Sequence, residues 1–438
     1  MKISIIRQIK QCSMKWAFFS DTHNYGDCSR AIEIARQMKH DGHTVRFFHH
    51  GGDFVKKITE AGIDLVGLEP EVSKEQHEVL MAIDQQRAPL GTPLPFHEEQ
   101  IREMVTSEIK ALREFRPDGA YCGLNISCMI SVPYLKIPSV TFVPTALCPA
   151  FFQKGLASFP NSLEKGLLLH YLVPGFVKKM IINRVMLGKV MKHAGAAFNK
   201  VRVGYGLPPL YNYPSLARGD LTLLPDLPEL SGLKETDLPP GYKYCGPLFA
   251  HPELPVPDEV RRVFDSPGLK MYCAMGSSGS PELLKKVISI LKTNPGFCIV
   301  CATTSIIDPT ELGPNNDRFF ATRFLPAPQV NELADIAVIH GGQGTVQTAV
   351  WAGTPVVGIG FQWEQQANLD GLVHAGAGIR IPILSVSEKS LLAAVEKVRS
   401  KEYRSRMAEL KDLVRSIDGA RNAVQLMNRF LEGREAPH

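Results

Sequence analysis

The sequence predicts an α/β chain of two doubly wound parallel-sheet domains, and three observations carry that expectation. At 438 residues the chain is too long for one compact core and suits two domains of roughly 200 residues each. Both halves alternate short apolar runs with longer helical stretches, the order that builds parallel sheets covered by helices. Pro and Gly concentrate between Pro239 and Pro257, which marks a boundary between the two units.

The elements follow in order. Residues 16–20 (WAFFS) read as a strand, Cys28 to His40 as a helix, residues 43–49 (HTVRFFH) as the next strand, and Gly62 to Val66 continue the alternation. Residues 70–95 look irregular and polar, the character of a binding loop or lid beside which an acceptor would lie. Glu98 to Phe115 then form a long helix before a strand at Gly119 to Cys122, and Tyr242 to Cys245 close a first domain placed at 14–245. A second unit at 257–402 contains strands at Met271 to Ala274, Val338–Ile339 and Val356 to Ile359. The closing segment, 403–432, reads as one long helix charged on one face.

Composition narrows the class. Forty-nine basic against 44 acidic residues leave a net charge of only +5, so nothing in the balance implies a nucleic-acid partner. No apolar run reaches the ~20 residues that span a bilayer. Residues 1–13 hold Lys2, Arg7 and Lys10 without a continuous apolar stretch or a small-residue cleavage site, so secretion is not expected. Nine cysteines, an odd number without a framework, point to a reducing, cytoplasmic setting. Cys298 and Cys301 form a CxxC inside a strand, where a spacing of three sends the side chains to opposite faces, so no metal site is expected there.

The most informative stretch runs from Val338 to Gly378. Val338 and Ile339 end a buried strand, and residues 340–345 (HGGQGT) turn tightly into a helix starting near Gly344. The free N–H groups and positive dipole end of such a helix suit a pyrophosphate, to which His340 can donate one further hydrogen bond. After Gly353-Thr354-Pro355 comes the next parallel strand, followed by Gln362, Glu364, Gln365 and Asn368 at the edge where open α/β sheets bind ligands.

This pattern, HGGQGT then AGTPVV then the Glu364-Gln365 pair and Asn368, resembles the donor-site signature of family 1 glycosyltransferases. MYCAMGS at 271–277, RFLPAPQ at 323–329, NKVRVGYGLPP at 199–209 and YKYCGPL at 242–248 are similar in the same order. The resemblance implies a GT-B fold, with two Rossmann-like domains facing each other across a cleft and a terminal helix crossing back to the first. It implies a cytoplasmic, metal-independent, inverting enzyme, a monomer or homodimer, that uses no cofactor and moves a sugar from a UDP- or dTDP-sugar donor to a small, partly apolar acceptor such as a phenolic or polyketide natural product. It places Gly276, Ser277, His340, Gly342, Gly344 and Thr345 at the diphosphate. Glu364, Gln365 and Asn368 fall at the sugar, with Gln329 and Val330 at the base and Phe324 or Leu325 over its ring.

Two departures from that pattern carry chemistry. Thr348 stands where many ribonucleotide users have a ribose-binding Glu, which would fit a deoxyribose donor. Relatives hold a His–Asp dyad where this chain has Asp27 and, approximately, Gly123. Asp27 is therefore the expected catalytic base, at the cleft-facing start of the first helix, unless it merely caps that helix. His23 is held in reserve, as are His49 and His50. Two other functions stay open: a nucleotide-sugar epimerase, and a catalytically altered nucleotide-sugar binder or partner activator.

Residues 163–193 mix Leu167, Leu168, Leu169, Phe176, Ile181 and Ile182 with Lys178, Lys179, Arg184, Lys189 and Lys192. Such a mixture suits weak peripheral contact with anionic lipid. The apolar positions do not keep to one helical face, however, and Pro174-Gly175 break the run, so helices lining an acceptor cleft are the favoured reading.

Overall fold

Short runs of aromatic and β-branched residues build two all-parallel sheets in a computed structural model that describes residues 13–84, 91–123, 125–157, 174–189, 191–250, 254–276, 279–304 and 306–433. In the first domain the strands are β1 (Lys15–Phe19), β2 (Thr44–His49), β3 (Asp64–Gly67), β4 (Gly119–Cys122), β5 (Ser139–Phe142), β6 (Leu221–Leu224) and β7 (Tyr242–Tyr244). Their order is β3-β2-β1-β4-β5-β6-β7. Successive side chains alternate between two buried faces: Trp16, Phe18 and Tyr121 enter one apolar cluster, while Ala17, Phe19 and Ala120 enter another. Phe47, Phe18, Tyr121 and Phe142 form a ring ladder across four strands, with centroid spacings of 5.1, 4.8 and 5.1 Å.

The second domain repeats the scheme with β8 (Leu269–Ala274), β9 (Phe297–Ala302), β10 (Phe319–Thr322), β11 (Ile336–Ile339), β12 (Val356–Gly358) and β13 (Gly378–Arg380), in the order β10-β9-β8-β11-β12-β13. Within β9, Cys298 packs in one cluster and Cys301 in another, on opposite faces of the sheet. No helix among the described residues is long and apolar enough to cross a membrane.

Three local expectations need correction. The polar stretch 70–95 contains a helix at Lys74–Asp84, whose few apolar residues gave no clear period. Strands β5 and β6 were not anticipated, because SVTF and LTLL are only four residues long. The segment 403–432 is two helices, Lys401–Arg415 and Gly419–Leu431, because Asp418 caps the second by accepting from the Arg421 N–H.

The break has a structural purpose. Helix Lys401–Arg415 packs on the second domain against helix Gln343–Ala352, whereas Gly419–Leu431 packs on helix Tyr25–His40 and delivers Ala423, Val424 and Met427 to the first core. The two connections between the domains therefore run side by side. A Cβ on Gly419 would lie 2.0 Å from the Pro247 carbonyl oxygen, and one on Gly246 would lie 2.5 Å from Ile417. Only glycine permits that approach, and Gly246 also has φ +92°.

Candidate active site

In each sheet the strand order reverses beside the first strand, between β1 and β4 and between β8 and β11, and crevices open at the C-terminal strand ends there. The first crevice is bordered by residues 20–24 and Gly123, the second by Gly276 and residues 340–342. The helix Tyr25–His40 begins in the first crevice and Gln343–Ala352 in the second.

On the donor side, bare backbone surrounds His340. A Cβ on Gly276 or on Gly342 would fall 2.4 or 2.5 Å from its ring, so glycine at both positions lets the turns close on the imidazole. Gly276 has φ +62°, and Thr304 Oγ1 fixes its carbonyl at 2.7 Å. Among the described residues nothing lies within 4 Å of a Cβ on Gly344, so the helix start there has room for a ligand. Burial holds the His340 imidazole down at about 4, so the ring is neutral at pH 7, and its Nδ1 has no hydrogen-bond partner among the described residues. A neutral imidazole N–H beside a helix N-terminus can serve a diphosphate oxygen without adding charge of its own. Ser277 lies outside the described residues.

Other donor candidates are partly engaged. Asn368 Nδ2 donates to the Gly341 carbonyl at 3.0 Å and to Glu364 Oε1 at 2.6 Å, tying the glycine turn to the carboxylate. Burial pushes the Glu364 carboxyl up, while the Asn368 bond and the charge of Arg30, from the first domain, pull it down. Gln365 is engaged within its own turn. Its Oε1 accepts from the N–H groups of Phe361 at 2.9 Å and Gln362 at 3.2 Å, and its Nε2 donates to Gln362 Oε1, so it closes a capping box. Thr345 Oγ1 donates to the Gly342 carbonyl at 2.7 Å and Thr348 Oγ1 to the Thr345 carbonyl at 3.0 Å. Both hydroxyls thus stabilise the helix start. Val330 is fully buried and its N–H is bonded to the Pro326 carbonyl, and Gln329 lies in the same short helix. Leu325 is core, whereas Phe324 is 45 % exposed and turns its ring edge to Tyr25 of the first domain at 6.3 Å.

The first domain corrects two expectations about Asp27. It is not the helix cap, since Asn24 Oδ1 accepts from the Gly26 and Asp27 N–H groups. Nor does it lie open to the cleft, because it is 2 % exposed, with Oδ2 accepting from Ser20 Oγ and the Asp21 N–H, both at 2.9 Å. Gly123 is its close neighbour, and a Cβ there would sit 2.6 Å from Oδ2, so the small residue makes room for the carboxylate.

The second carboxylate near the base position comes from Asp21, which sequence reasoning missed because it lies in a loop outside any matched motif. Burial first, then the charge of Asp27, push the Asp21 carboxyl up to about 6. His23 stacks on His77 at 4.7 Å and places Nε2 3.4 Å from the Val72 carbonyl, which ties it to the loop after β3. His49 accepts from the Gly51 N–H through Nδ1 at 3.1 Å, and His50 is held between the Pro70 carbonyl and Glu108. Neither is placed as a base.

The domain contact contributes residues that the sequence reading passed over with β6. Gln343 and Gln347 both donate to the Pro225 carbonyl, at 3.0 and 2.6 Å, and Trp363 meets Phe152 at 5.5 Å. Asp226 accepts from Thr145 Oγ1 at 3.0 Å, and burial pushes its carboxyl up to about 7, with the Glu364 charge adding to the rise. Arg30, Asp226 and Phe324 show that the two crevices face one another.

Comparison with known proteins agrees with this fold. Residues 305–418 match the model of the erythromycin biosynthesis protein CIII-like C-terminal domain. The chain is 26 % identical over 386 residues to a PGL/p-HBAD biosynthesis rhamnosyltransferase of Mycobacterium bovis (strain BCG / Pasteur 1173P2), covering 79 % of each. Among solved structures, the glycotransferase of kitacinnamycin superposes with a TM-score of 0.68 at 20 % identity, over 95 % of this chain and 99 % of that one. The glycosyltransferase VinC in complex with DTDP gives 0.64 at 15 % identity, over 96 % and 100 %.

His340→Ala is expected to weaken nucleotide binding by about 10- to 100-fold, the value of one hydrogen bond to an ionised group, roughly 1.5–3 kcal/mol. Calorimetric titration with UDP and dTDP checks it. Unchanged affinity for both would remove His340 from the site.

Proposed function

Since the chain is a family 1 glycosyltransferase of the natural-product type with the GT-B fold, we propose that it moves a sugar from a nucleotide diphosphate to a small, partly apolar acceptor with inversion at the anomeric carbon. One observation carries this reading: the glycine-walled His340 and the open start of helix Gln343–Ala352 face, across a cleft, the helix that bears Asp27. The donor diphosphate would lie on the second domain, where His340 and the helix N–H groups stabilise the departing charge. The acceptor would lie on the first domain, with the carboxylate pair of Asp27 and Asp21 taking its proton as the nucleophile attacks from the side opposite the leaving group. In this scheme the diphosphate charge is met by N–H donors and the helix dipole, so transfer needs no metal.

The test is incubation of the full chain with UDP-glucose and dTDP-glucose, with and without phenols, macrolides and lipids, in the presence of EDTA. A glycosylated acceptor of inverted configuration supports the reading. Epimerised donor would transfer it to an epimerase, and binding without turnover to an altered binder or partner activator. Loss of turnover in EDTA, restored by a divalent cation, would overturn the metal-free scheme.

The donor base follows from Thr348. No carboxylate stands at this position to hold ribose hydroxyls, and the threonine hydroxyl is spent on its own helix. We expect dTDP to bind at least as tightly as UDP, because the site forfeits no ribose hydrogen bond with the deoxy sugar. Competition titration of the two diphosphates decides it, and a clear preference for UDP rejects the deoxyribose donor.

A further inference from the structure

From Lys165 to Gly219 the chain carries nine lysines and arginines and no aspartate or glutamate, although acidic residues are 44 of the 438 overall. At that overall frequency a stretch of this length would hold several carboxylates, so the charge is segregated rather than merely balanced. The helix Gly175–Met186 lies inside the stretch. Pro174 stands at its N-cap, so the Pro-Gly pair starts this helix and does not interrupt it. The part of the basic segment at 163–173, and residue 190, lie outside the described residues.

The helix packs on Pro149–Lys154 and buries Ile182. Its other side presents Phe176, 74 % exposed, and Met180, 62 % exposed, one turn apart. Arg184 continues the same line of positions, Lys179 flanks it, and Lys189 and Lys192 follow; all four are exposed. Two large apolar side chains standing in water beside cations, without a carboxylate in the surrounding sequence, are costly for an ordinary solvated helix. They match an interface that is apolar below and anionic above.

We propose that helix Gly175–Met186 docks the enzyme on the surface of an anionic lipid bilayer. Phe176 and Met180 enter the boundary between headgroups and acyl chains, while Lys179, Arg184, Lys189 and Lys192 meet the lipid phosphates. A second copy of the chain is a poorer occupant, because the same cations would face each other across a symmetric contact. The proposal requires only this helix, and it stands whether or not the glycosyl-transfer scheme above is correct.

The experiment is flotation of the full chain with vesicles of phosphatidylcholine containing about 30 % phosphatidylglycerol, against vesicles of phosphatidylcholine alone, at low and high salt. Binding is expected to the anionic vesicles only, and to weaken with salt. The double variant Phe176→Ser/Met180→Ser, which changes only exposed side chains, should bind about tenfold more weakly or less still, with an unchanged melting temperature. Arg184→Gln/Lys192→Gln should weaken binding at low salt in parallel. A chain that stays with the unfloated fraction overturns the proposal. So does a serine variant that floats like the wild type, which would make the attraction purely electrostatic. A wild-type dimer that the serine substitutions dissociate would assign the apolar pair to a second copy.

Discussion

Asp27→Asn is expected to lower turnover by about a hundredfold or more while leaving the fold intact, since general-base assistance is worth roughly 10²–10⁴ in rate. Ser20 Oγ and the Asp21 N–H both donate to Asp27 Oδ2, and an amide oxygen at that place can accept from both. Helix Tyr25–His40 keeps its cap in the variant because the cap is Asn24. The readouts are kcat and the melting temperature of the same preparation. The parallel variant Asp21→Asn discriminates between the two carboxylates. Near-normal turnover in Asp27→Asn, with a large loss in Asp21→Asn, would pass the proton to Asp21 and leave Asp27 as the group that positions its loop.

Glu108→Ala is expected to destabilise the first domain by about 1–3 kcal/mol, the range for leaving a buried polar group without its hydrogen-bond partner. Glu108 is fully buried and accepts from Ser127 Oγ at 2.6 Å and Ser131 Oγ at 2.5 Å, with His50 Nε2 3.2 Å from its Oε1. His50 Nδ1 lies 2.8 Å from the Pro70 carbonyl. Alanine would leave the buried Ser131 hydroxyl without this acceptor, while Ser127 Oγ keeps Asn125 Oδ1 at 2.8 Å. Urea unfolding followed by tryptophan fluorescence, to which Trp16 in the first domain contributes, checks the value. Glu108→Gln, which keeps one acceptor oxygen, should lose less, and equal losses in the two variants would mean that the side-chain shape matters and its hydrogen bonding does not.

The parts of the architecture with a strong period or a strong motif were legible in the sequence. Helix Glu98–Phe115 was read to its ends, because Ile101, Val105, Ile109 and Leu112 recur on one buried face. The turn at His340 to Gly342 was legible because glycine in a run after a buried strand has few other uses. Strands β5 and β6 were not, since four apolar residues do not distinguish a buried strand from part of a helix. With β6 went Pro225 and Asp226, and so the whole hydrogen-bonded contact between the domains. Gln365 shows a different limit: sequence position puts an amide beside a carboxylate, but only the fold shows that its oxygen also accepts from the Phe361 and Gln362 N–H groups. Asp27 shows the same limit in reverse, since nothing in the sequence announces that Ser20 and Asp21 close over it.

The paired crossings at Gly246 and Gly419 make the second domain an insertion within the first. Every strand of the first sheet precedes residue 245, yet Ala423, Val424 and Met427, which fill the space over helix Tyr25–His40, belong to the final helix. During synthesis the first sheet must therefore wait, with one apolar flank uncovered, until the entire second domain has left the ribosome. The native order of assembly is thus inside out: the domain begun later can finish first. The earlier one is sealed last, by a helix whose entry is fixed by two glycines touching at the spine.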